Sequence, residues 1–370
     1  MAKNGSTQGS VKILPREGLT FDDVLLMPRF TDFLREDVDL TTHLHPTIRL
    51  SLPILSSPMD TVTEDQMAIV MAKNGGLGII HRNLTVDAQV GMVKKVKAQK
   101  LQVGAAVGVG NDFAERVEKL AKAGADLLVI DSGHGHTQFI SDCITAIKKK
   151  FPKQVVMAGN IATAEGAKAL AGAGADILRV GMGPGSICTT RIVTGMGVPQ
   201  MTAIFEAVRG IGKAKVTIVA DGGIRQMGDM AKALAAGAHC VMLGSMLAGH
   251  DETPGEIVTV EGKPFKQYRG MGSITAMKKG GAARYGQSMQ VAEKKLIAEG
   301  VEGLVPTKGA ATDFLYQAAG ALRSAMYYTG CRTIQELHQN THFLRITQAS
   351  LQESHPHSIV ITSTGASYLA

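Results

Sequence analysis

From about residue 50 onward, short β-branched and aliphatic runs alternate with longer stretches whose apolar residues recur at helical spacing. The short runs predict eight strands: Leu52–Ser56, Gly78–His81, Val103–Val107, Leu127–Asp131, Val155–Ala158, Ile177–Val180, Thr217–Ala220 and Cys240–Leu243. A helix is predicted after each: Glu64–Lys73, Val86–Ala98, Asp112–Lys122, Phe139–Lys150, Ala164–Ala171, Thr202–Ile211, Met227–Ala235 and, beyond a long insertion, Asp313–Tyr328. Four of these helices run into Asn74-Gly75, Ala123-Gly124, Ala173-Gly174 and Ala236-Gly237. A glycine just past a helix takes the left-handed conformation that turns the chain into the next strand. Gly124 and Gly174 lie 50 residues apart, two strand–helix units of about 25 residues each. The pattern predicts an α/β fold, a single (β/α)8 TIM barrel over residues 1–370.

Two stretches break the rhythm. From Gly174 to Gly237 the spacing grows to 63, and the surplus falls in 181–200, directly after the sixth strand. A second insertion, about 250–312, follows the eighth strand and is too long for a plain connection. Loops after barrel strands lie on the face that carries the chemistry, so the first is a candidate catalytic loop and the second a flap over it.

The first loop sets Cys188 among glycines, hydroxyls and Arg191, where exposed backbone N–H groups suit a thiolate nucleophile. Cys143, Cys240 and Cys331 read instead as small buried thiols. Asp221-Gly222-Gly223 and Gly244-Ser245 end the seventh and eighth strands, positions where barrels bind phosphate through the main chain, with Asp221 suited to ribose hydroxyls. Asp131-Ser132-Gly133-His134-Gly135-His136 ends the fourth strand; two histidines without a third ligand do not make a zinc site. Contacts to a second ligand, or a helix N-terminus held by Asp131 or Ser132, fit that turn better.

Composition narrows the class. With 370 residues, 45% hydrophobic and 19% charged, the chain is globular rather than disordered. No run of 18 apolar residues occurs, residues 1–18 lack the apolar stretch of a signal peptide, and the four cysteines form no C-x-x-C pair, so a cytoplasmic protein without a membrane partner is expected. The formal charge of +7 raises the question of nucleic acid, but the lysine clusters at 94–97 and 148–150 fall on amphipathic helices and read as solvated faces. No nucleic-acid partner is expected.

The residues resemble one family, the inosine-5′-monophosphate (IMP) dehydrogenases and GMP reductases. The resemblance is carried by Gly18-Leu19-Thr20-Phe21-Asp22-Asp23-Val24, Ser56-Ser57-Pro58-Met59-Asp60-Thr61, Gly183-Pro184-Gly185-Ser186-Ile187-Cys188-Thr189-Thr190-Arg191, Ala220-Asp221-Gly222-Gly223-Ile224, Tyr268-Arg269-Gly270-Met271-Gly272-Ser273 and Gln352-Glu353-Ser354-His355. Within the family, Val193–Gln200 and the flap pair Arg284-Tyr285 are similar to the dehydrogenase branch; the alternative is a reductase converting GMP and NADPH to IMP and ammonia.

The resemblance implies that Cys188 attacks C2 of IMP, that hydride passes to NAD+, and that water cleaves the resulting thioimidate adduct to give XMP, a step of guanine nucleotide biosynthesis. Arg284 would activate that water beside Tyr285, with Thr190 and Glu299 as an auxiliary proton relay. It assigns Ser186, Gly223, Gly244, Ser245 and Tyr268 to the phosphate, Asp221 to the ribose, and Ser57, Met59, Met271, Gly272 and Glu299 to the hypoxanthine. Asp131 and Ser132 would face NAD+, with Asn160 and Arg179 near the nicotinamide. A potassium ion would rest on carbonyls of Gly183, Gly185 and Cys188, completed by Glu353, Ser354 and His355 of an adjacent subunit in a homotetramer. Besides Pro356 and Ser358 in the C-terminal stretch, three features depart from the family pattern. The CBS modules that usually follow the second strand have no room, because 96–100 runs almost directly into 101–104; Gly133 stands where a Ser is common; and Gly286 stands where an aromatic is common.

Overall fold

The computed structural model describes residues 13–14, 17–287 and 293–365; the remainder of the expected 1–370 domain, including residues 288–292 of the flap, lies outside them. Eight parallel strands close into a barrel: Ile54–Ser56, Leu77–Ile80, Gly104–Val107, Leu127–Asp131, Val155–Ile161, Ile177–Val180, Thr217–Asp221 and Cys240–Leu243. Closure is direct, with Val241 of the eighth strand in register with Ile54 of the first. All eight predicted strands are present, with ends that shift for local reasons. Val103 falls outside the third strand because its N–H donates to the Asp126 carboxylate at 2.9 Å. The fifth strand runs three residues past Ala158, through an irregular register between Gly159 and Ile161.

Strand alternation divides the core in two. Leu127, Val129, Val155, Met157, Ile177, Val219, Cys240 and Met242 fill the barrel interior, while Leu128, Ile130, Val156, Leu178, Ile218 and Val241 pack outward against the helices. A hairpin that the hydrophobic pattern did not predict, Thr42–His45 with Ile48–Leu50, adds Leu44, Ile48 and Leu50 to the interior cluster. Its backbone and side chains reach the barrel through Thr217 Oγ1 on Leu44 O and Thr42 Oγ1 on His239 O, at strand starts. That end of the barrel is plugged, which leaves the opposite end for ligands.

The helices match their predicted spans to within two residues, as at Val86–Ala98 and Met227–Ala235. Thr85, Thr137 and Thr163 cap three of them by accepting from backbone N–H groups. The fourth helix is thus held by Thr137, not by Asp131 or Ser132 as expected; the Ser132 hydroxyl is spent within its own turn on His134. Gly75, Gly124, Gly174 and Gly237 all have positive φ, as their place after helices requires. The lysine clusters are partly neutralised by neighbours, Lys95 by Asp65, Lys97 by Asp126 and Lys150 by Glu118.

The described residues of the insertion after the eighth strand form a subdomain: an antiparallel sheet of Ile257–Val260, Lys263–Arg269 and Glu302–Pro306, a short helix Ile274–Lys278, and a turn Gly281–Tyr285. Its root is fixed by Lys266, whose buried ammonium donates to the carbonyls of His250, Asp251 and Thr253.

Helix and strand approach closely at Gly78, where a Cβ would lie 2.4 Å from Ala68 Cα. Gly78→Val should therefore destabilise the chain by about 1–3 kcal/mol through overpacking, read as a lowered midpoint of denaturant unfolding. An unchanged midpoint would mean that this spacing is not fixed.

Candidate active site

The residues expected to carry chemistry gather at the open end of the barrel around a cleft. Ser57, Met59, Gly183, Gly185, Ser186, Cys188, Thr190, Asp221, Gly244, Ser245, Tyr268, Met271 and Glu299 line it, with Asn160, Arg179, Arg284 and Tyr285. Gly223 is set just behind Gly222, with Pro184 Cβ 3.1 Å from where its own Cβ would be. Gly272 backs Tyr285, whose hydroxyl would be 2.9 Å from a Cβ there.

The catalytic loop is held at both ends. Arg191 donates to the carbonyls of Met182 and Val198, closing the loop on itself. Gly183 and Gly197 make this possible, since a Cβ on either would fall 2.6 Å from the Arg191 side chain. A short helix, Thr190–Thr194, follows the cysteine and ends at left-handed Gly195. The flap grips the other side: Thr189 N–H donates to Glu299 O, Val301 N–H to Ile187 O, and Cys188 pairs with Gly300 in an antiparallel bridge. Half-exposed Cys188 is thereby fixed with Sγ 3.2 Å from Thr190 Oγ1, which donates to Glu299 Oε2 at 2.8 Å. Cys143, Cys240 and Cys331 are buried, and burial pushes all three thiols up.

One end of the cleft is lined by the hydroxyls of Ser186, Ser245 and Tyr268. The Tyr268 hydroxyl, hydrogen-bonded to Ser186 and Ser245, is kept protonated by burial. It lies 3.1 Å from where a Cβ on Gly244 would be, so glycine leaves that backbone open to a ligand. Asp221 at the next strand end accepts from Asn160 Nδ2 and Arg179 Nε through one oxygen, each at 2.8 Å.

A second, wider groove of about 1930 Å³ adjoins the cleft, and the two share Gly133, Met182, Thr190, Arg284, Tyr285 and Glu299. Ser132, His134, His136 and Phe139 line its far side. Asp131 lines neither space. Fully buried, it accepts from Arg179 Nη1 at 2.6 Å and from Arg284, while Arg82 Nε stands 3.6 Å from its other oxygen. Burial lowers the basicity of Arg284 and raises the Tyr285 phenol. The flap turn closes against Gly133, whose N–H donates to Arg284 O at 2.9 Å. A Cβ at Gly133 would meet that oxygen at 3.0 Å and the Tyr285 ring at 3.4 Å, so this glycine bears on the flap as much as on the groove.

Glu353, Ser354 and His355 are not brought to the cleft within one chain. They occupy the exposed end of helix Gln348–Glu353, and neither space is lined by them among the described residues. Sequence inspection missed Arg82 and Gln200: Arg82 has no glycine-rich setting to mark it, and buried Gln200 bridges Val180 O and Asp221 O from the first turn of a helix.

Residues 18–357 match the family model described as IMP dehydrogenase / GMP reductase domain. The chain is 46% identical to the inosine-5′-monophosphate dehydrogenase of Borreliella burgdorferi, covering 94% of this chain and 98% of that protein. It is 38% identical to the Pasteurella multocida protein of the same name and 37% identical to that of Bacillus subtilis, each over 95% of this chain and 98% of the relative. The Bacillus alignment spans 481 positions against a chain of 370, so the relative carries more than a hundred residues without counterpart here. The Borreliella alignment needs only 396. A barrel of this topology, with a cysteine loop gripped by a flap and this breadth of similarity, places the chain in the IMP dehydrogenase / GMP reductase family.

Proposed function

We propose that this chain is a short-form IMP dehydrogenase, oxidising IMP to XMP with NAD+ and water through a covalent adduct on Cys188. The observation that carries the reading is the relay Cys188–Thr190–Glu299, set where the cleft meets the wider groove and faced by Arg284 and Tyr285. The nucleotide's phosphate would rest on Ser186, Ser245, Tyr268 and the backbone at Gly223 and Gly244. Its ribose would bond Asp221, and its base would lie between Met59 and Met271 with Ser57, Gly272 and Glu299 around it.

NAD+ bound in the wider groove would supply the two-electron acceptor. The residues present suit it: the groove opens onto the cleft beside Cys188, and Asn160 Oδ1 is buried beside the junction with no hydrogen-bond partner. Ser132 would face the dinucleotide directly, whereas Asp131 would act through the arginines it holds. For hydrolysis, Arg284 removes a proton from water, the oxygen bonds to C2 of the purine, and the C–S electron pair returns to Cys188 Sγ. Thr190 and Glu299 offer a second route for that proton. An arginine is ordinarily too basic for this work, and burial of Arg284 shifts it in the needed direction.

A potassium ion fits the loop's chemistry. Gly183, Gly185 and Cys188 offer backbone carbonyls, the hard oxygen donors such an ion prefers, and three of them leave a shell that Glu353, Ser354 and His355 of an adjacent subunit would complete. That makes a homotetramer part of the proposal. The five residues between helix Val86–Ala98 and strand Gly104–Val107 leave no space for CBS modules, so regulation through them is absent. Four free thiols suit a cytoplasmic setting, and no helix among the described residues is long and apolar enough to cross a membrane. A reductase would need Arg284 to be dispensable, yet its guanidinium is engaged at the wall of both spaces, and each relative named above is a dehydrogenase.

Purified protein with IMP, NAD+ and potassium should gain absorbance at the NADH band, while GMP with NADPH should give no change; the reverse pattern would establish the reductase. Cys188→Ser should abolish the signal, and retained turnover would remove the cysteine from the mechanism. In Arg284→Ala the first turnover of NADH should persist while steady-state turnover falls at least about a hundredfold, in line with loss of a general base; equal slowing of both steps would refute the assigned role. Replacing potassium with a bulky organic cation should slow turnover without dissociating the tetramer seen by gel filtration, and indifference to the exchange would argue against the carbonyl site.

A further inference from the structure

We propose that Arg82, at the end of the second barrel strand, is a positioning residue that holds the flap over the cleft and keeps a surplus positive charge beside Arg284, so that Arg284 gives up its proton. The inference rests on the dehydrogenase reading and goes beyond it by naming what tunes the base.

Arg82 is buried and reaches in two directions. Its Nη1 donates to Gly280 O at 3.2 Å, one residue before the flap turn Gly281–Tyr285, and its Nε stands 3.6 Å from Asp131 Oδ2, too far for a hydrogen bond. Gly108 provides the space, since a Cβ there would fall 2.9 Å from the guanidinium. Arg82 Nε, Arg82 Nη2, Arg284 Nε and Asp131 Oδ2 are all buried without a protein partner. These are groups that would each bind water, and their charges are only partly compensated.

Charge balance gives the direction. Three guanidiniums, those of Arg82, Arg179 and Arg284, share two carboxylates, Asp131 and Asp221. Arg179 uses both, and Arg284 shares Asp131 Oδ1 with it, which leaves Arg82 as the weakly paired cation. Other groups facing this cluster are Tyr285 beside Arg284, Cys188 and Glu299 across the cleft from Tyr285, and the Arg116–Asp112 pair behind Arg82. A buried like charge favours the neutral form of its neighbour. Burial, and then Arg116, bring Arg82 itself down to about 10, still charged at neutral pH, while burial leads and Arg82 adds to the lowering of Arg284.

The sign follows. Neutral Arg284 is the working base, so hydrolysis declines below its pKa, and removing the Arg82 charge raises that pKa and moves the acid limb to higher pH. Arg82→Gln keeps an N–H donor for Gly280 O and removes the charge; Arg82→Lys keeps the charge. The experiment is rapid mixing of the full-length enzyme with labelled IMP and NAD+, following NADH for the oxidation step and decay of the acid-precipitable protein adduct for hydrolysis, across pH. In Arg82→Gln, NADH formation should stay within about twofold, and the acid limb of adduct decay should rise by roughly one pH unit, about a tenfold loss near neutrality. In Arg82→Lys the limb should stay in place. An unmoved limb in Arg82→Gln, an equal shift in Arg82→Lys, or loss of both steps together would overturn the proposal. If the wild-type enzyme forms no adduct, the dehydrogenase reading falls, and this inference with it.

Discussion

A carboxylate with no exposed surface organises the open end of this barrel. Asp131 ends the fourth strand inside the protein, where an unpaired charge would be costly enough to neutralise the group or unfold its surroundings. Arginines converge on it, and each of them ties a different element to the site. Arg179 comes from the sixth strand and carries the linkage to Asp221 on the seventh; Arg284 comes from the flap; Arg82 comes from the second strand and reaches back to the flap at Gly280. Four of the eight strand ends and the flap are therefore positioned by one pairing problem. Replacing such buried pairs with apolar residues is often neutral for stability, so what this network supplies is the linkage between these elements.

The cysteine loop is controlled differently, by backbone rather than by charge. A glycine-rich loop has high conformational entropy, and a nucleophile placed on one needs restraints that do not occupy its own side chain. Arg191 supplies one restraint by bonding two carbonyls of the loop, in space that Gly183 and Gly197 leave free. The flap supplies the other through main-chain bonds around Ile187, Thr189, Glu299 and Val301. Glu299 thus has two functions, a backbone clamp on the loop and a carboxylate on Thr190. The contacts that fix the thiol and Thr190 thus come in part from the flap segment, through Glu299, Gly300 and Val301.

Barrel strands and helices were legible in the sequence because each obeys a local rule: period-2 or continuous apolar runs for strands, period 3.6 with a terminal glycine for helices. Strand ends such as Val103 were not, because a side chain from elsewhere, Asp126, takes the hydrogen bond that the ladder would otherwise use. The flap strand Ile257–Val260 escaped for another reason: it is exposed along its whole length, so no buried face imprints a pattern; the hairpin at 42–50 does alternate, but its strands of four and three residues are too short for the period to stand out. In the site, glycine-marked positions such as Cys188, Gly222-Gly223 and Gly244-Ser245 stood out, since close backbone approach requires that residue type. Arg82 and Gln200 did not. Their importance comes from partners nearly two hundred and about twenty residues away, at Gly280 and at Val180 and Asp221, and nothing in their own neighbourhood in the chain reports it.

The two glycines that depart from the family pattern have a common physical meaning. Gly133 lets the flap turn approach until its own N–H meets Arg284 O, where a side chain would press on that oxygen and on the Tyr285 ring. Gly286, directly after the pair, has a φ of +67° with open space around it, so what favours glycine there is backbone conformation rather than crowding. One residue removes a steric barrier to closure, and the other lets the chain turn away immediately behind the pair. Because Arg284 and Tyr285 line both the cleft and the wider groove, any ligand in that groove and the closed flap draw on the same space. Both departures therefore bear on the flap pair, Gly133 through the space it leaves beside Arg284 O and Gly286 through the backbone conformation it takes.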